Sequence, residues 1–167
     1  MLHETQRLKD AMSSFATGVA VITAHYQEQD WGMTCNSFSS VSLDPAMVLW
    51  SIRKSSLSLP AFSHSKGFTV NVLAAHQLDI AIRFTKGEQT ERFENLSFTR
   101  LASERTRING ALAWFDCALD NTVSAGDHDI FIGRVLQFGG TQDAGVQGLI
   151  YHQRQFGALQ SLEELAG

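Results

Sequence analysis

The segment Ser51-Ile52-Arg53-Lys54-Ser55-Ser56 places two cations among three hydroxyls, directly after an apolar run. A phosphate group asks for that combination, a cation with several short donors. Lys54 and Ser56 suit the role best, with Ser51, Arg53 and Ser55 beside them. A solvated loop is the plainer reading of any one of these residues. Arg83 and Lys86, further along, could also reach a phosphate. A second set is Tyr151, Arg154 and Phe156. The two rings could stack on a flat heterocycle and the arginine could pair with a phosphate or carboxylate. Core or dimer packing is the plainer reading of the rings. A third set is Thr34-Cys35-Asn36-Ser37-Phe38-Ser39. Taken alone, it reads as a turn whose short polar groups bond locally.

Several chemistries find no support. There is no G-x-G-x-x-G, no P-loop, no H-E-x-x-H and no G-x-S-x-G in the chain. Cys35 and Cys117 have neither zinc spacing nor a disulfide framework, which suits small buried thiols in a reducing compartment. Thirteen basic residues stand against seventeen acidic ones, net charge −4, without a basic run, so nucleic acid is not an expected partner. Met1 to Asp10 is polar, and no apolar run approaches a membrane span. A cytoplasmic protein without a membrane partner is the expectation. At 167 residues, 44% of them hydrophobic, the whole chain (1–167) suits one domain.

The elements that must position these groups follow from periodicity. Leu8, Ala11, Met12 and Phe15 space as an amphipathic helix lying on something apolar and stopping near Gly18. Strands are expected at 19–24, 31–36, 47–52, 67–72, 112–123, 130–138 and 149–152. Segment 37–45 reads as irregular and 139–148 as loop. Helices are expected near Ser58–Phe62 and around Leu78, Ala81 and Ile82, with a short acidic tail helix at the end. Residues 88–107 read as a long excursion with little regular structure. The order lacks regular strand-helix alternation, so an all-β antiparallel barrel with a few decorating helices fits best. Several strands are apolar on both faces and need a cover, from a helix or a second subunit.

An ordered set of segments resembles the flavin reductase family with an FMN-binding split barrel. The segments are Phe15-Ala-Thr-Gly-Val-Ala-Val-Ile-Thr23, Gly32-Met-Thr-Cys-Asn-Ser-Phe-Ser-Ser-Val-Ser42, Leu43-Asp-Pro-Ala-Met-Val-Leu49, Arg53-Lys-Ser-Ser56, Phe68-Thr-Val-Asn-Val72, Gly126-Asp-His-Asp-Ile-Phe-Ile-Gly-Arg-Val135 and Leu149-Ile-Tyr-His-Gln-Arg-Gln-Phe-Gly157. The resemblance implies a six-stranded antiparallel Greek-key barrel and a homodimer with flavin near the subunit interface. It implies an NAD(P)H:flavin oxidoreductase that uses NADH or NADPH to reduce FMN or FAD and supplies a partner flavin-dependent monooxygenase. The alternative is a flavin-binding electron-transfer module without its own reductase activity.

The resemblance also assigns roles. Thr34, Cys35, Asn36, Ser37, Phe38 and Ser39 would meet the flavin ring edge. Within that resemblance, Ser51, Arg53, Lys54, Ser55 and Ser56, and Arg83 by its charge alone, remain the candidates that residue chemistry offers for a phosphate. Asn71, a polar residue inside an apolar strand, would be a flavin-side donor. Tyr151, Arg154 and Phe156 would complete the site. His128 would lie near the flavin and nicotinamide, positioning the carboxamide or stabilising charge on the reduced ring; its plainer reading is a loop histidine bonded to Asp127 or Asp129. His3, His25, His64, His76 and His152 carry no assigned role, and Trp31, Trp50 and Trp114 read as packing residues. Alanine follows Asp44-Pro45 where the family often has a second proline. Residues 88–107 match the family poorly. Hydride transfer between two cofactors needs little from side chains beyond binding, orientation and exclusion of water, which suits the sparse motif inventory.

Overall fold

The run Val19-Ala-Val-Ile-Thr-Ala24 carries small or β-branched side chains throughout, and it is buried on both faces. In the computed structural model, which describes residues 2–141, 143 and 145–160, this run forms most of strand β2 (Ala20–Tyr26). Helix α1 (Leu2–Ser13) and β1 (Thr17–Gly18) precede it; β3 (Gln29–Cys35), β4 (Ser39–Leu43) and β5 (Ala46–Arg53) follow. Next come α2 (Leu59–His64), β6 (Gly67–Val72), a short 3₁₀ turn at Ala75–Gln77, α3 (Leu78–Arg83) and α4 (Gln89–Phe93). The chain continues through β7 (Phe98–Arg100), β8 (Thr106–Ile108), β9 (Ala113–Ala125), β10 (His128–Gly140), β11 (Leu149–His152) and β12 (Gln155–Ala158).

The main sheet has seven strands in the order β3-β2-β6-β9-β10-β5-β4, every neighbouring pair antiparallel. Its two edge strands are consecutive in the chain. Laid flat, the sheet would part those edges by about 29 Å, six spacings of roughly 4.8 Å. Only Asn36, Ser37 and Phe38 join β3 to β4, a connection that spans at most about 15 Å between the flanking Cα atoms. The sheet therefore curls into a barrel, and the short connection lies where its edges approach. The barrel is the expected one, with β4 as an additional edge strand. Segment 37–45, expected to be irregular, thus contains a strand, because its serines pair through backbone with β5: Ser39 opposite Leu49 and Ser40 opposite Val48.

Alternate residues of the strands sort into two buried clusters. Ala20, Ile22 and Ala24 of β2 join Val48, Trp50, Ile52, Phe68, Val70, Cys117 and Phe131. Trp50 lies stacked on Phe131 at 4.9 Å and meets Phe62 edge-on at 4.9 Å. The opposite face, with Val19 and Val21, packs against Leu73, Ala81, Phe84, Ile108 and Leu149. The cover that the doubly apolar strands require thus comes from this chain, through α3, β8 and β11. A small sheet, β1-β11-β12, lies on the same side.

Three further expectations change. Residues 88–107 contain α4, β7 and β8, because polar side chains tie them down: Arg100 Nη2 donates to Asp30 Oδ2 at 2.7 Å, and Arg105 Nε donates to the buried Asp116 Oδ1 at 2.7 Å. Strand β10 runs on to Gly140, paired with Ala113, where a loop was expected from residue 139. The first helix ends at Ser13, before Phe15, and its apolar residues do not lie on this chain's core; Leu8 and Met12 are exposed, as is Phe15 beyond it. The expected tail helix falls outside the described residues. No helix among those described is long and apolar enough to cross a membrane.

Candidate functional site

Where the barrel edges meet, a cavity of about 340 Å³ opens. Met33, Thr34 and Cys35 line it from the end of β3, Asn36 and Ser37 from the connection, and Ser51, Ile52 and Arg53 from β5. Ser55, Ser56 and His128 complete the wall. Its size lies within the range of small-molecule sites. The connection is itself fastened to β5: the Ser51 amide donates to Ser37 Oγ at 2.9 Å, and Ser37 Oγ donates to the Ser51 carbonyl at 3.2 Å. Thr34 Oγ1 donates to the Ala81 carbonyl at 2.6 Å, which leaves its oxygen as an acceptor. Cys35 is buried beside Ser37, and burial pushes its thiol above the ordinary value, so it is a neutral wall. These hydroxyls hold the wall in shape, while the Asn36 amide and the Ser51 and Ser55 hydroxyls have no side-chain partner among the described residues.

Strand pairing sets the electrostatics. Arg53 lies opposite His128 across the β5–β10 ladder. Directly paired residues present side chains to the same face, so both reach the cavity. Arg53 makes no side-chain hydrogen bond or ion pair among the described residues, so its guanidinium is available. His128 Nδ1 lies 2.7 Å from Asp127 Oδ1. The hydrogen bond from His128 holds the Asp127 carboxyl below its ordinary value, so this oxygen accepts and Nδ1 carries the proton. Nε2 is then the imidazole's other working atom. The turn that presents this pair has Gly126 at φ +60, the value a two-residue II′ hairpin asks of its first central residue.

Other expected site residues lie elsewhere. Lys54 lines neither this cavity nor the one beside it; its Nζ donates to Ser124 Oγ at 2.7 Å and to the Gly126 carbonyl at 2.6 Å. Asn71 is fully buried: its amide nitrogen donates to the Val21 carbonyl, and its oxygen accepts from the Ile108 amide at 2.8 Å. It ties β6 to β2 and β8. Arg83 donates to the Glu94 carbonyl at 3.0 Å and lines neither cavity. Phe38 packs under the sheet, 5.7 Å from Phe115, and Ser39 donates to the Ser40 carbonyl at 3.1 Å. Tyr151 and Phe156 pack on each other at 5.0 Å in the small sheet, and Arg154 pairs with Asp10 of α1. The closing motif therefore does not reach this cavity within one chain.

A second cavity of about 640 Å³ shares Met33, Thr34 and Ser56 with the first. Gln29 and Trp31 of β3, Leu57, Ser58, Phe84 and Thr85 line it, with Gly87, Glu88, Gln89 and Arg92. Motif reading missed most of these, and Trp31, read as packing, is part of the wall. The signal is faint because the work is done by side-chain to backbone bonds. Gln89 Oε1 accepts from the Gly32 amide at 2.8 Å, and its Nε2 donates to Ser58 Oγ at 3.0 Å. Arg92 donates to the Gly32 carbonyl at 2.7 Å and to the Gly87 carbonyl at 2.9 Å. Helix α4 thus caps the outward backbone groups of an edge strand, which would otherwise be open to pairing. Gly32 leaves room for two rings beside it: a Cβ there would lie 2.4 Å from Phe84 and 3.0 Å from Phe93 of α4.

The donor set fits a flavin: short neutral donors for a ring rich in carbonyls and nitrogens, and a free cation with hydroxyls for a phosphate. Among the described residues no cluster of three or more His, Cys, Asp or Glu is placed to hold a metal.

Relatives and solved structures resemble this chain over most of its length. The reductase component of the flavin-dependent trigonelline monooxygenase of Acinetobacter baylyi is 39% identical over 153 residues, 91% of this chain and 48% of that protein. The FMN reductase (NADH) SmoA of Agrobacterium fabrum is 42% identical over 133 residues, 80% of this chain and 75% of that protein. This chain thus spans about half the length of the first relative and three quarters of the second. The NADH:FAD oxidoreductase SgcE6 of Streptomyces globisporus, solved with NAD and FAD fragments, superposes with a TM-score of 0.88 at 29% identity, covering 95% of this chain and 94% of that one. Residues 12–160 match the family model of the flavin reductase like domain, and the chain belongs to that family.

Proposed function

We propose that this protein is an NAD(P)H:flavin oxidoreductase that reduces FMN or FAD and delivers the reduced flavin to a partner monooxygenase. The observation that carries the reading is that Arg53, with no side-chain hydrogen bond among the described residues, stands beside the Asp127-oriented His128 on the wall of one cavity. Bound there, a reduced nicotinamide supplies a hydride and the flavin ring accepts it. The chain's own groups bind and orient. Arg53, with Ser55 and Ser56, pairs with the phosphate, and the Asn36 amide and Ser51 hydroxyl meet the polar ring edge. His128, with Nδ1 held on Asp127, would set its ring in the cavity wall, where it would orient the nicotinamide beside the flavin ring. The second cavity, with the Gln89–Ser58 hydrogen bond in its wall, would receive the remainder of a dinucleotide.

The partner class rests on the relatives' names, one of them a monooxygenase reductase component. A homodimer is part of the same reading. The exposed Leu8, Met12 and Phe15 are a face a second copy would cover, and Tyr151, Arg154 and Phe156 could reach a flavin only from such a copy or in another role. A soluble cytoplasmic setting accords with two unpaired buried thiols. The test is anaerobic mixing of the protein with NADH or NADPH and FMN or FAD, following oxidised-flavin absorbance. Rapid bleaching is expected. Retention of flavin without bleaching would replace this reading by an electron-transfer module.

A further inference from the structure

Arg53 and Lys54 are adjacent in sequence and opposite in placement. Arg53, paired with His128, faces the cavity with its guanidinium uncommitted. The next residue crosses to the β9–β10 turn and grips it from four directions. The Lys54 amide donates to the Asp127 carbonyl at 2.9 Å. Its ammonium donates to Ser124 Oγ at 2.7 Å and to the Gly126 carbonyl at 2.6 Å, and lies 3.9 Å from Asp129 Oδ1. An ammonium has three protons, and this one has three oxygens around it. Those oxygens bracket Asp127 and His128 on both sides in sequence. A two-residue hairpin turn carrying glycine is intrinsically free to sample other conformations, and each bond to it removes some of that freedom. The charged bonds from Lys54 join the turn to the end of β5, the strand that also supplies Arg53.

We propose that Lys54 is a positioning residue: it locks the 124–129 turn so that His128 faces the cavity beside Arg53, and it does not bind the flavin phosphate. This rests on the reading that the cavity holds a flavin. The alternative, a direct phosphate ligand, would require the ammonium to leave Ser124, Gly126 and Asp129.

The two roles separate when FMN is compared with riboflavin, which lacks the phosphate. With Lys54→Met, kcat is expected to fall roughly 2- to 5-fold with both flavins, the scale of charged contacts that solvent screens, since the Lys54 side chain is 42% exposed. The ratio of KM for FMN to KM for riboflavin stays unchanged. Lys54→Arg, which can still donate to the turn, restores most of the rate. A KM that rises for FMN alone would overturn the proposal and make Lys54 a phosphate ligand. Amide hydrogen exchange of the flavin-free protein gives a reading independent of turnover. Lys54→Met should speed exchange across 124–129 and leave the β2–β6 ladder protected. Unchanged exchange there would overturn the clamp. If the wild-type protein reduces neither flavin, the functional reading fails, while the exchange experiment still decides the clamp.

Discussion

The two adjoining cavities are built by different means. The first is walled by strand ends and by the connection between the barrel's edges, so its residues fall in short runs: 33–37, 51–53 and 55–56. Its shape follows from backbone register. The second is walled partly by side chains reaching back from α4 to cap β3. Its shape depends on individual glutamine and arginine bonds rather than on a ladder. A site made by register is robust and readable in the sequence. A site made by side-chain capping is adjustable and hard to recognise.

The largest effect should come from a pair outside both cavities, which fastens the 97–108 tract to the barrel. Arg105 and Asp116 form a buried pair, 8% and 4% exposed at their side chains, with Thr69 Oγ1 also donating to Asp116 at 3.3 Å. Arg105→Met strands that carboxylate, and about 3–5 kcal/mol of stability should be lost. A urea melt measures it; an unchanged midpoint would mean the 97–108 tract is not held by this pair. The first cavity is broken more selectively. Arg53→Met should weaken FMN binding roughly 10- to 100-fold, the scale of a charged hydrogen bond, and leave riboflavin binding unchanged, as read by fluorescence titration. Equal losses for both ligands would remove Arg53 from phosphate recognition.

The second cavity is opened by Gln89→Leu, which deletes bonds to Gly32 and Ser58 at once. KM for the nicotinamide nucleotide should rise roughly 5-fold, about one neutral hydrogen bond, with flavin affinity unaltered. A loss of flavin affinity instead would merge the two cavities into one site. The smallest effect concerns the thiols. Burial, with the Asp116 charge beside it, pushes Cys117 from an ordinary 9.0 up to about 12. The folded state therefore keeps a proton that the unfolded chain releases. This contribution is complete below pH 9 and is lost as pH rises from there toward 12. Denaturant midpoints between these limits should slope downward, and less so in Cys117→Ala. Burial likewise raises Cys35 at the first cavity, so neither thiol should react readily with a disulfide reagent in the native protein.

Much of the fold was legible. The apolar runs at 19–24, 47–52 and 67–72 are strands because both of their faces find cover, and the positions of the long hairpin strands follow from uninterrupted patterning. The serines of 39–42 hid β4, since an edge strand pairs through backbone and asks little of its side chains. The polar tract 88–107 hid α4, β7 and β8 for a related reason: its order comes from bonds to distant partners, Asp30, Gly32 and Asp116.

In the candidate site, residue types alone pointed to the 51–56 run, and Thr34 to Ser37 and His128 were found through the family resemblance. Residue type could not separate Arg53 from Lys54, or tell that Asn71 belongs to the core. Composition and periodicity act locally, so they mark the apolar strands and the segments where cations stand among hydroxyls. Which face a side chain takes is decided by pairing register, where one residue's shift moves a cation from the cavity to the turn.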